Sequence, residues 1–457
     1  MNEPVGSHSR AVAGHCLLRV EDGGFAHLVV PAELGRARLD VRDRALVTAL
    51  VYGVLRWRRR IDAEIERASS RPVDSLDPEV RAALRIGVMQ LLVLDMDPHA
   101  AVATAVPIAG TRKSARGFVN GVLRAVARAD RPPIGRTDAD AGDASLAELY
   151  SYPDWIEELF VDQFGAARTR ALFAHGNRDA EVSLRVVGAR WPNAEESLAR
   201  AESALRGAVG ELDKSRLTPG AWRIRRTGNL ASLAGIVDGT LGIQDEGSQM
   251  VAAALGVTPD MTVVDLCAGP GGKASAILEM LGAGLLVAGE PDLGRARTTE
   301  RHLDRIGGGI ATLTGNHQAA TAAVVNQDGT HCALRSGSAD LVLVDAPCSG
   351  LGVMRRRPDL RWRIQPSQID ELADLQGRLL DEAFRVVKPG GRVVYSVCTV
   401  TRAETTGVVE GFLARHATAT PDACQRAPWR QIEGGSLLLG PEADTDGMFL
   451  ASFTRLT

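Results

Sequence analysis

The chain has 457 residues, of which 45% are hydrophobic and 24% are charged, and its formal net charge is -3. This length and apolar content suit two or three domains, each with its own core, and exclude a single small domain. The near-neutral charge gives no overall signal of nucleic-acid binding, so any RNA affinity must come from local basic patches.

No apolar stretch approaches the roughly twenty residues of a membrane span. The first residues include Glu3 and no apolar core, unlike a signal peptide, so a cytoplasmic protein is expected. The six cysteines are Cys16, Cys267, Cys332, Cys348, Cys398 and Cys424. They form no CxxC pair, which argues against a disulfide framework and a structural zinc site. Neither a metal nor a membrane partner is expected, and the protein is expected to be a monomer.

Residues 8–130 show the apolar periodicity of helices almost throughout. The predicted helices are Ser9–Arg19, Asp43–Ala68, Asp77–Leu94, Ala100–Ile108 and Ala115–Val126. Two basic groups lie in this all-α region: Arg56, Arg58, Arg59 and Arg60, and then Arg112, Lys113 and Arg116. They predict contacts with RNA phosphates or, equally well, solvated helix faces balanced by acidic neighbours such as Asp62 and Glu64.

Residues 131–145 contain no apolar periodicity and predict a linker. Residues 146–240 then alternate helical and extended patterns, which predict a small α+β subdomain before a larger domain at 241–457. The predicted helices are Pro153–Phe164, Ala166–Asn177 and Ala194–Val209, and the predicted strands are Val182–Val187 and Ala221–Arg225.

The most informative segment is Asp265-Leu-Cys-Ala-Gly-Pro-Gly-Gly-Lys273. It follows an apolar run at Met261–Val264 and precedes a predicted helix at Ala274–Leu281, as in a strand, a glycine-rich turn and a helix that together hold a ligand. Glycines let the backbone approach a ligand closely, and the helix start offers free N–H groups. The spacing matches neither GxxxxGK[ST] nor GxGxxG, so neither ATP nor NAD is indicated.

Two later strands also end in polar residues. Ala339–Val344 runs into Asp345-Ala-Pro-Cys348, and Gly391–Tyr395 runs into Ser396-Val-Cys398. A single Cys after a strand is more often a small buried hydrophobe than a functional group. In open α/β sheets, however, ligands bind at the carboxyl ends of strands, so three such strand ends point to one crevice.

These motifs resemble the RNA cytosine-5 methyltransferases, a family that includes the Sun/Fmu enzymes of 16S ribosomal RNA. Ile243–Gln249 and Asp446–Phe449 also resemble landmarks of that family, and residues 8–130 resemble the RNA-binding NusB domain that its bacterial members carry. The resemblance implies an all-α NusB-like bundle, a small α+β subdomain and a class I Rossmann-like α/β methyltransferase domain. It further implies S-adenosyl-L-methionine-dependent methylation of cytosine C5, with 16S rRNA as the expected RNA partner. Methylation of tRNA and a non-catalytic role in RNA binding or ribosome assembly stay open.

The reaction explains why two cysteines are needed. Cytosine C5 is a weak nucleophile, so a thiolate must first add to C6 and turn the ring into an enamine. The resemblance assigns this addition to Cys398 and the breakdown of the adduct to Cys348. It places Asp345 on the cytosine N3 and amino edge, where it stabilises developing charge. Lys273 is expected either to act on a neighbouring thiol or Asp345, or only to cap the loop.

For the cofactor, the resemblance implies contacts from the glycine loop and from later strand ends. The loop residues are Cys267, Ala268, Gly269, Pro270, Gly271, Gly272 and Lys273, and Asp345 borders the same site. Glu290 ends a predicted strand at Gly284–Gly289 and is expected to bind the ribose hydroxyls, with Arg295 at the family's spacing. Asp328 follows a short strand at Ala322–Asn326 and is expected to accept from the adenine amino group. Both carboxylates also fit solvated loop positions.

The sequence departs from the family near its catalytic motifs. Val397 and Thr399 flank Cys398 where Thr and Ser are usual, and Arg357 replaces a typical His. The basic run at Arg355–Arg361 is interpreted as an RNA-facing loop, in which Trp362 either stacks on a base or is buried.

Overall fold

The computed structural model describes residues 7–129, 132–135, 144–188, 194–206, 209–227, 234–314, 320–423 and 428–457. These residues form two compact units. The first contains the described residues of Met1–Arg178 and Met354–Arg363, and the second contains those of Asp179–Val353 and Ile364–Thr457. Cys424 and most of the predicted linker lie outside the described residues. Within the described part of the chain, no helix is both long and apolar enough to cross a membrane.

The helices and strands are numbered in chain order. The helices are α1 Ser7–Glu21, α2 Ala26–Arg36, α3 Val41–Ser69, α4 Pro78–Val88, α5 Pro98–Ala105, α6 Lys113–Arg128, α7 Leu146–Tyr150, α8 Asp154–Phe164, α9 Ala166–Gly176, α10 Ala194–Arg206, α11 Ala234–Val237, α12 Glu246–Ala254, α13 Gly272–Met280, α14 Leu293–Thr314, α15 Leu360–Arg363, α16 Pro366–Val386, α17 Thr406–Arg415 and α18 Gly440–Ala443. The strands are β1 Val182–Val186, β2 Val209–Lys214, β3 Ala221–Thr227, β4 Leu241–Ile243, β5 Thr262–Asp265, β6 Leu285–Gly289, β7 Thr321–Val325, β8 Ala339–Asp345, β9 Val387–Val397, β10 Ala419–Pro421, β11 Arg430–Ile432, β12 Gly435–Leu438 and β13 Met448–Arg455.

The first unit is helical, as the apolar periodicity of its sequence predicts. Its main core contains fully buried side chains from helices α1 to α6, including Cys16 of α1, Leu50 of α3, Leu84 of α4 and Leu123 of α6. Helix α3 begins where the Asp40 side chain accepts from the Asp43 backbone N–H at 2.8 Å, a common way to satisfy a free helix-start donor. The predicted bundle is therefore confirmed as helical, and its core is built by the apolar helix faces.

Helices α7, α8 and α9 also belong to this unit, so the two units do not divide at the predicted linker. Aromatic side chains of these helices and of the segment between α7 and α8 form a second cluster, in which the rings of Tyr152 and Phe173 stack with centroids 3.8 Å apart. Phe160 lies against Phe173 at 5.9 Å. Offset or tilted aromatic pairs add to the apolar burial of such a cluster. The boundary between the units therefore follows α9, at Arg178.

The interpretation of Arg355–Arg361 as an RNA-facing loop is wrong for Arg355 and Arg361, whereas Arg357 is exposed and Arg356 is half-buried. Arg361 is 0% exposed and Arg355 is 6% exposed. The Arg361 guanidinium donates to four neutral oxygens, those of Arg56 O, Ser151 O, Gly176 O and Asn177 Oδ1. It also lies 3.8 Å from the Tyr152 ring centroid. Burial lowers the pKa of Arg361 to about 10. Its side chain holds helices of the first unit together, because Nη1 and Nη2 both meet acceptors inside the unit.

In the Arg56–Arg60 group, Arg56 and Arg59 also bond to groups within the first unit. Arg56 is buried and donates to the Arg355 carbonyl at 3.1 Å. Arg59 pairs with Asp154 at 2.7 Å and also donates to the Tyr152 carbonyl at 2.9 Å. Trp362 is half-buried, and its indole N–H donates to the Leu55 carbonyl at 2.6 Å. These bonds fasten α3 to the neighbouring segments of the unit, so Arg56 and Arg59 are engaged within the unit, while Arg58 and Arg60 are half-buried.

The second unit contains two sheets. The smaller is four-stranded and antiparallel, in the order β2-β3-β1-β4. Its core includes Leu184, Trp222, Ile224 and Leu241, all at most 2% exposed. Strands β1 and β3 match the sequence prediction closely, whereas the short strands β2 and β4 were not predicted. Strand β1 carries Arg185, and β4 leads directly into Gln244. Both residues belong to the candidate site described below.

The larger sheet has nine strands in the order β11-β12-β13-β9-β8-β5-β6-β7, with β10 paired to β13. Strands β7, β6, β5, β8 and β9 are parallel, and β10 to β13 are paired antiparallel. From β5, the chain fills the sheet first through β6 and β7, and then on the other side through β8 and β9. Ligands bind in open α/β sheets where the strand order reverses in this way. The predicted α/β domain is confirmed, and its crevice lies at the carboxyl ends of β5 and β8.

Candidate active site and cofactor crevice

The glycine loop joins β5 to α13. Gly271 has φ +100 and directly precedes α13, with no side-chain cap on the helix start. A residue with a Cβ is strained at this φ, which accounts for glycine at the position. The loop is tied to the next strand because the Ala268 N–H donates to the Gly289 carbonyl at 2.9 Å. The N–H groups of the first turn of α13 are therefore available to polar ligand atoms.

Asp265 ends β5 beneath this loop and is 1% exposed. Its Oδ1 accepts from the Cys267 N–H at 3.3 Å, while Oδ2 is buried without a hydrogen-bond partner among the described residues. Burial, with the charge of Asp345, raises the pKa of Asp265 to about 7. A buried carboxylate oxygen without a donor is costly, so this atom is suited to a ligand that brings an N–H or O–H group.

Gln244 lies near Gly272, at the α13 end of the loop, and is 7% exposed. Its Oε1 accepts from Arg185 Nε at 3.0 Å. Since arginine only donates, this bond fixes the orientation of the amide and turns Nε2 away from Arg185. Nε2 has no partner within the described part of the chain and lies 4.0 Å from the position of a Cβ on Gly272. Gln244 therefore offers a fixed donor beside the glycine loop.

Sequence reasoning did not assign a role to Gln244. It lies within the family-like segment Ile243–Gln249, so that segment was the available signal. What the sequence does not reveal is the support behind the amide. Arg185 Nη2 donates to Ser275 Oγ at 3.0 Å, and Arg185 pairs with Glu279 on the same helix. The small sheet and α13 together hold the amide in place.

Glu290 follows β6 and faces the glycine loop. Its side chain is 3% exposed, and its Oε2 lies 3.3 Å from Arg295 Nη2. The same Arg295 nitrogen donates to the Gly269 carbonyl at 2.6 Å. A Cβ on Gly269 would lie 2.0 Å from Glu290 Oε2, so only glycine permits this approach. The structure thus brings three of the predicted cofactor residues into direct contact.

Asp328 lies further along the same edge, after β7, and is exposed. Its Oδ1 accepts from both the N–H and the hydroxyl of Thr330 at 2.8 Å. These bonds lower the pKa of Asp328. They also form a local turn, which is the usual role of an aspartate in a loop. Asp328 is therefore less buried and more committed to its own loop than Glu290.

Lys273 and Asp345 form an ion pair across the crevice. Lys273 Nζ lies 2.8 Å from Asp345 Oδ2, and the two side chains are 8% and 29% exposed. Burial acts to lower the pKa of Lys273, but Asp345, Cys398 and Asp265 outweigh it, so the pKa is raised. Of the roles expected for Lys273, the geometry therefore shows a direct contact with Asp345.

Cys348 and Cys398 face each other at the ends of β8 and β9. Their Sγ atoms are 3.3 Å apart, and both residues are partly exposed free thiols. The contact with Cys398 and burial raise the pKa of Cys348 well above its usual range. Burial, reinforced by Asp265, Asp345 and Glu290, likewise raises the pKa of Cys267. Cys348 and Cys398 therefore form a contacting pair of thiols at the ends of β8 and β9.

The crevice fits the methyl-donating cofactor that is expected from the sequence. S-adenosyl-L-methionine has an amino-acid end with an ammonium group and a carboxylate, and a ribose with two hydroxyls. Asp265 Oδ2 lacks a donor and Gln244 Nε2 lacks an acceptor among the described residues, at the two ends of the glycine loop. Glu290 is a buried carboxylate at the next strand end, where a ribose is held in related sheets. These two carboxylates and the amide therefore suit the polar groups of this cofactor.

Comparisons with known proteins agree with this arrangement. The family model described as 16S rRNA methyltransferase RsmB/F matches residues 252–454, and the NusB family model matches residues 7–128. A Mycobacterium tuberculosis protein named as a methyltransferase is 38% identical over 95% of this chain and 93% of its own length. The ribosomal RNA small subunit methyltransferase B of Xylella fastidiosa is 33% identical over 98% of this chain and 97% of its own.

Two solved structures show the same fold. The crystal structure of PH0851 matches with a TM-score of 0.81 and 24% identity, covering 100% of both chains. The structure of NSun6 from Pyrococcus horikoshii with SFG matches with a TM-score of 0.56 and 17% identity, covering 67% of this chain and 98% of that one.

Proposed function

The chain belongs to the RsmB/F family of methyltransferases, and we propose that it methylates cytosine C5 in 16S rRNA through a covalent bond between Cys398 and C6. The family accounts for methyl transfer from S-adenosyl-L-methionine. The base, the ring position and the adduct rest on one observation, the two free thiols whose Sγ atoms are 3.3 Å apart beside an aspartate-lysine pair. A methyltransferase acting on a stronger nucleophile needs no such pair of thiols.

In the proposed reaction, the Cys398 thiolate donates its electron pair to C6 and forms the S–C6 bond. The electrons of the C5–C6 double bond then make C5 nucleophilic, and C5 takes the methyl group. When the C5 proton leaves to a base, the double bond re-forms and Cys398 departs as a thiolate. Cys348 is the adjacent group that assists this breakdown, because its Sγ lies next to that of Cys398.

Asp345 orients and polarises the base. Its Oδ2 is held by Lys273 Nζ at 2.8 Å, while 29% of its side chain stays exposed to the crevice. It can therefore face the N3 and amino edge of cytosine without losing its partner. Hydrogen bonds to that edge stabilise the charge that develops when sulfur adds to C6. The raised pKa of Lys273 keeps the ammonium charged beside Asp345 throughout.

The cofactor residues divide between the two sides of the glycine loop. S-adenosyl-L-methionine supplies an electrophilic methyl group on a positively charged sulfur. We place its ribose on Glu290, which Arg295 fixes, and its adenine amino group on Asp328. Asp265 and Gln244 would hold the amino-acid end through their free buried atoms. The larger domain at 241–457 therefore carries the chemistry.

The helical N-terminal region would dock the RNA, but through a surface other than the buried arginines. On α6, Lys113, Arg116, Arg124 and Arg128 are all exposed. Arg116, Arg124 and Arg128 are spaced by multiples of four and share one helix face. Replacing Arg124 and Arg128 by alanine should weaken RNA binding and reduce the salt slope by about 0.7 to 0.9 per lost phosphate contact. Arg170→Ala, on an exposed position of α9, is the matched control.

Bisulfite sequencing of total RNA tests the proposed reaction. We expect one 16S rRNA cytosine to lose its protection in a deletion strain and to regain it with the wild-type gene, but not with Cys398→Ala. A change confined to tRNA would move the substrate assignment to tRNA. An unchanged pattern in every RNA would contradict cytosine C5 methylation and favour a non-catalytic role in RNA binding or assembly.

A further inference from the structure

A fully buried carboxylate lies directly behind the two thiols. Glu404 is 0% exposed and precedes α17. Its Oε1 accepts from the Ser349 N–H at 2.7 Å. Its Oε2 accepts from the Ser349 hydroxyl at 2.5 Å and from the Thr401 hydroxyl at 2.8 Å. A carboxylate removed from water needs such donors, and hydrogen bonds to an ionised group are the strong ones.

Further groups complete the network around Glu404. Thr399 Oγ1 lies 2.8 Å from Ser349 Oγ and 3.2 Å from Glu404 Oε2. Gln376 Nε2 donates to Glu404 Oε1 at 3.2 Å and to the Pro347 carbonyl at 2.9 Å. The Tyr395 hydroxyl bonds to Gln376 Oε1 at 2.9 Å and to the Glu404 carbonyl at 2.6 Å. Every hydrogen bond to the Glu404 side chain in this network comes from a group able to donate.

The network connects Glu404 to both of the loops that carry the thiols. Ser349 follows Cys348 in the chain, and Thr399 follows Cys398. Glu404 therefore holds the residue next to each thiol, from two loops fifty residues apart. Moving either loop requires breaking a buried bond to the carboxylate, which is expensive in a site of low dielectric.

We propose that Glu404 is a positioning residue that clamps the two thiol-bearing loops together and keeps Cys348 as the protonated member of the pair. The inference rests on the proposed function for its role in turnover. Cys348 remains a thiol while Cys398 attacks, so the two cysteines do not compete for C6. The side-chain oxygens of Glu404 are occupied by donors from the protein, so it acts through its neighbours and not on the base or the cofactor.

The charged groups around Cys348 also favour its protonated form. The contact with Cys398, burial, the charge of Cys398 and then the charge of Glu404 raise the pKa of Cys348. Tyr395, which also faces this pocket, has its pKa raised by burial and by the charges of Cys348 and Glu404. Lys273 is the positive group on the Cys398 side, where Cys398 contributes to its raised pKa. A second negative charge at Cys348 would thus lie beside a buried carboxylate, which is unfavourable.

The test measures the protonation of Cys348 directly. In the full-length protein with Cys398→Ala, without RNA or cofactor, the rate of alkylation by iodoacetamide is followed across neutral and alkaline pH. Mass spectrometry of the peptide containing Cys348 separates it from the other cysteines. Because only the thiolate reacts, the pH midpoint reports its pKa. Adding Glu404→Gln should shift the midpoint to lower pH and make alkylation faster at neutral pH.

Two controls separate the charge from packing. Thr401→Val removes one donor to Glu404 but keeps the carboxylate, and Glu410→Gln removes an exposed carboxylate from α17. Both should leave the midpoint unchanged. If Glu404→Gln does not fold, Glu404→Asp withdraws the charge by one methylene and should give a smaller shift in the same direction. An unchanged midpoint in the folded Gln variant, or in the Asp variant that replaces it, overturns the inference.

The outcome is distinguishable from a failure of the proposed function. Alkylation needs neither RNA nor methyl transfer, so a shifted midpoint would stand even if the wild-type protein methylated no RNA. Conversely, an active enzyme whose Cys348 midpoint ignores Glu404 would keep the proposed function and lose this inference.

Discussion

The two halves of the crevice are built differently. On the cofactor side, Asp265 and Glu290 are carboxylates that end or directly follow β5 and β6. On the thiol side, Cys348 and Cys398 lie beyond the ends of β8 and β9, and buried residues behind them hold their loops. The first arrangement needs little more than the sheet, because strand ends place the side chains. The second needs a network that joins segments distant in sequence.

The difference predicts where substitutions act most strongly. Changes on the cofactor side remove one of several binding contacts and should weaken affinity by degrees. Changes on the thiol side remove a group that forms or breaks a covalent bond, for which no neighbour substitutes.

The largest effect is expected at the thiols. Cys398→Ala should reduce methyl transfer by a factor of roughly 10⁴ or more, as removal of other covalent nucleophiles does. It should form no protein-RNA adduct. Cys348→Ala should still attack and methylate once, and then accumulate a complex that survives denaturing gel electrophoresis. Cys332→Ala, at a buried cysteine outside the crevice, is the control that should leave both readouts unchanged.

The opposite pattern would reverse the two roles, with an adduct trapped by Cys398→Ala and none by Cys348→Ala. Full activity in both variants would contradict the covalent mechanism. The raised pKa of Cys348 adds a pH test in the wild-type protein. Adduct breakdown should accelerate as pH rises, because a larger fraction of Cys348 loses its proton and can accept one.

The sequence predicts the cofactor side better than the thiol side for a physical reason. A buried parallel strand is a continuous apolar run, and the polar residue that follows it falls at the sheet edge. Strand β6 at Leu285–Gly289 was therefore anticipated within one residue. Glu404 was not, since its partners Ser349 and Gln376 are distant in sequence and no spacing links them to it.

In the helical unit, too, the sequence pattern predicts local structure better than contacts between distant segments. Its periodicity predicted most helices, but α2 was missed because Pro31 lies inside it and interrupts the helical signal. The exposure of arginines was also misjudged. Arg361 and Arg355 were expected at an RNA surface, yet both are buried. For Arg361, backbone carbonyls of neighbouring segments provide the acceptors. No local pattern indicates acceptors of that kind.

On the cofactor side, the largest effect is expected at Glu290. Glu290→Ala should weaken cofactor binding by about 1 to 3 kcal/mol, because the ribose hydroxyls lose a charged acceptor in a buried position. Titration calorimetry measures this directly. Glu300→Ala, an exposed carboxylate on α14, is the matched control. Unchanged affinity in a folded Glu290→Ala protein would remove Glu290 from the site.

A smaller, pH-dependent effect is expected at Asp265. Its pKa is raised to about 7, and a cofactor ammonium favours the ionised carboxylate. Cofactor affinity should therefore fall as pH drops below 7, by up to about tenfold per pH unit, and level off above it. Asp265→Asn should lose this dependence, whereas Asp370→Asn, at an exposed position of α16, should keep it. A dependence that persists in folded Asp265→Asn would assign the titration to another group.

The smallest effect is expected at Asp328, which is exposed and already accepts two bonds from Thr330. Asp328→Ala should weaken cofactor binding by about 0.5 to 1.5 kcal/mol, since water competes for the adenine amino group at an exposed position. Asp328→Asn separates the two roles of this side chain. Asparagine keeps one acceptor for Thr330, but presents an N–H₂ group where the second carboxylate oxygen was. If Asp328 binds adenine, both variants should lose affinity for the cofactor. If it serves only the turn, Asp328→Asn should bind like the wild type in calorimetry, and the adenine contact must come from elsewhere.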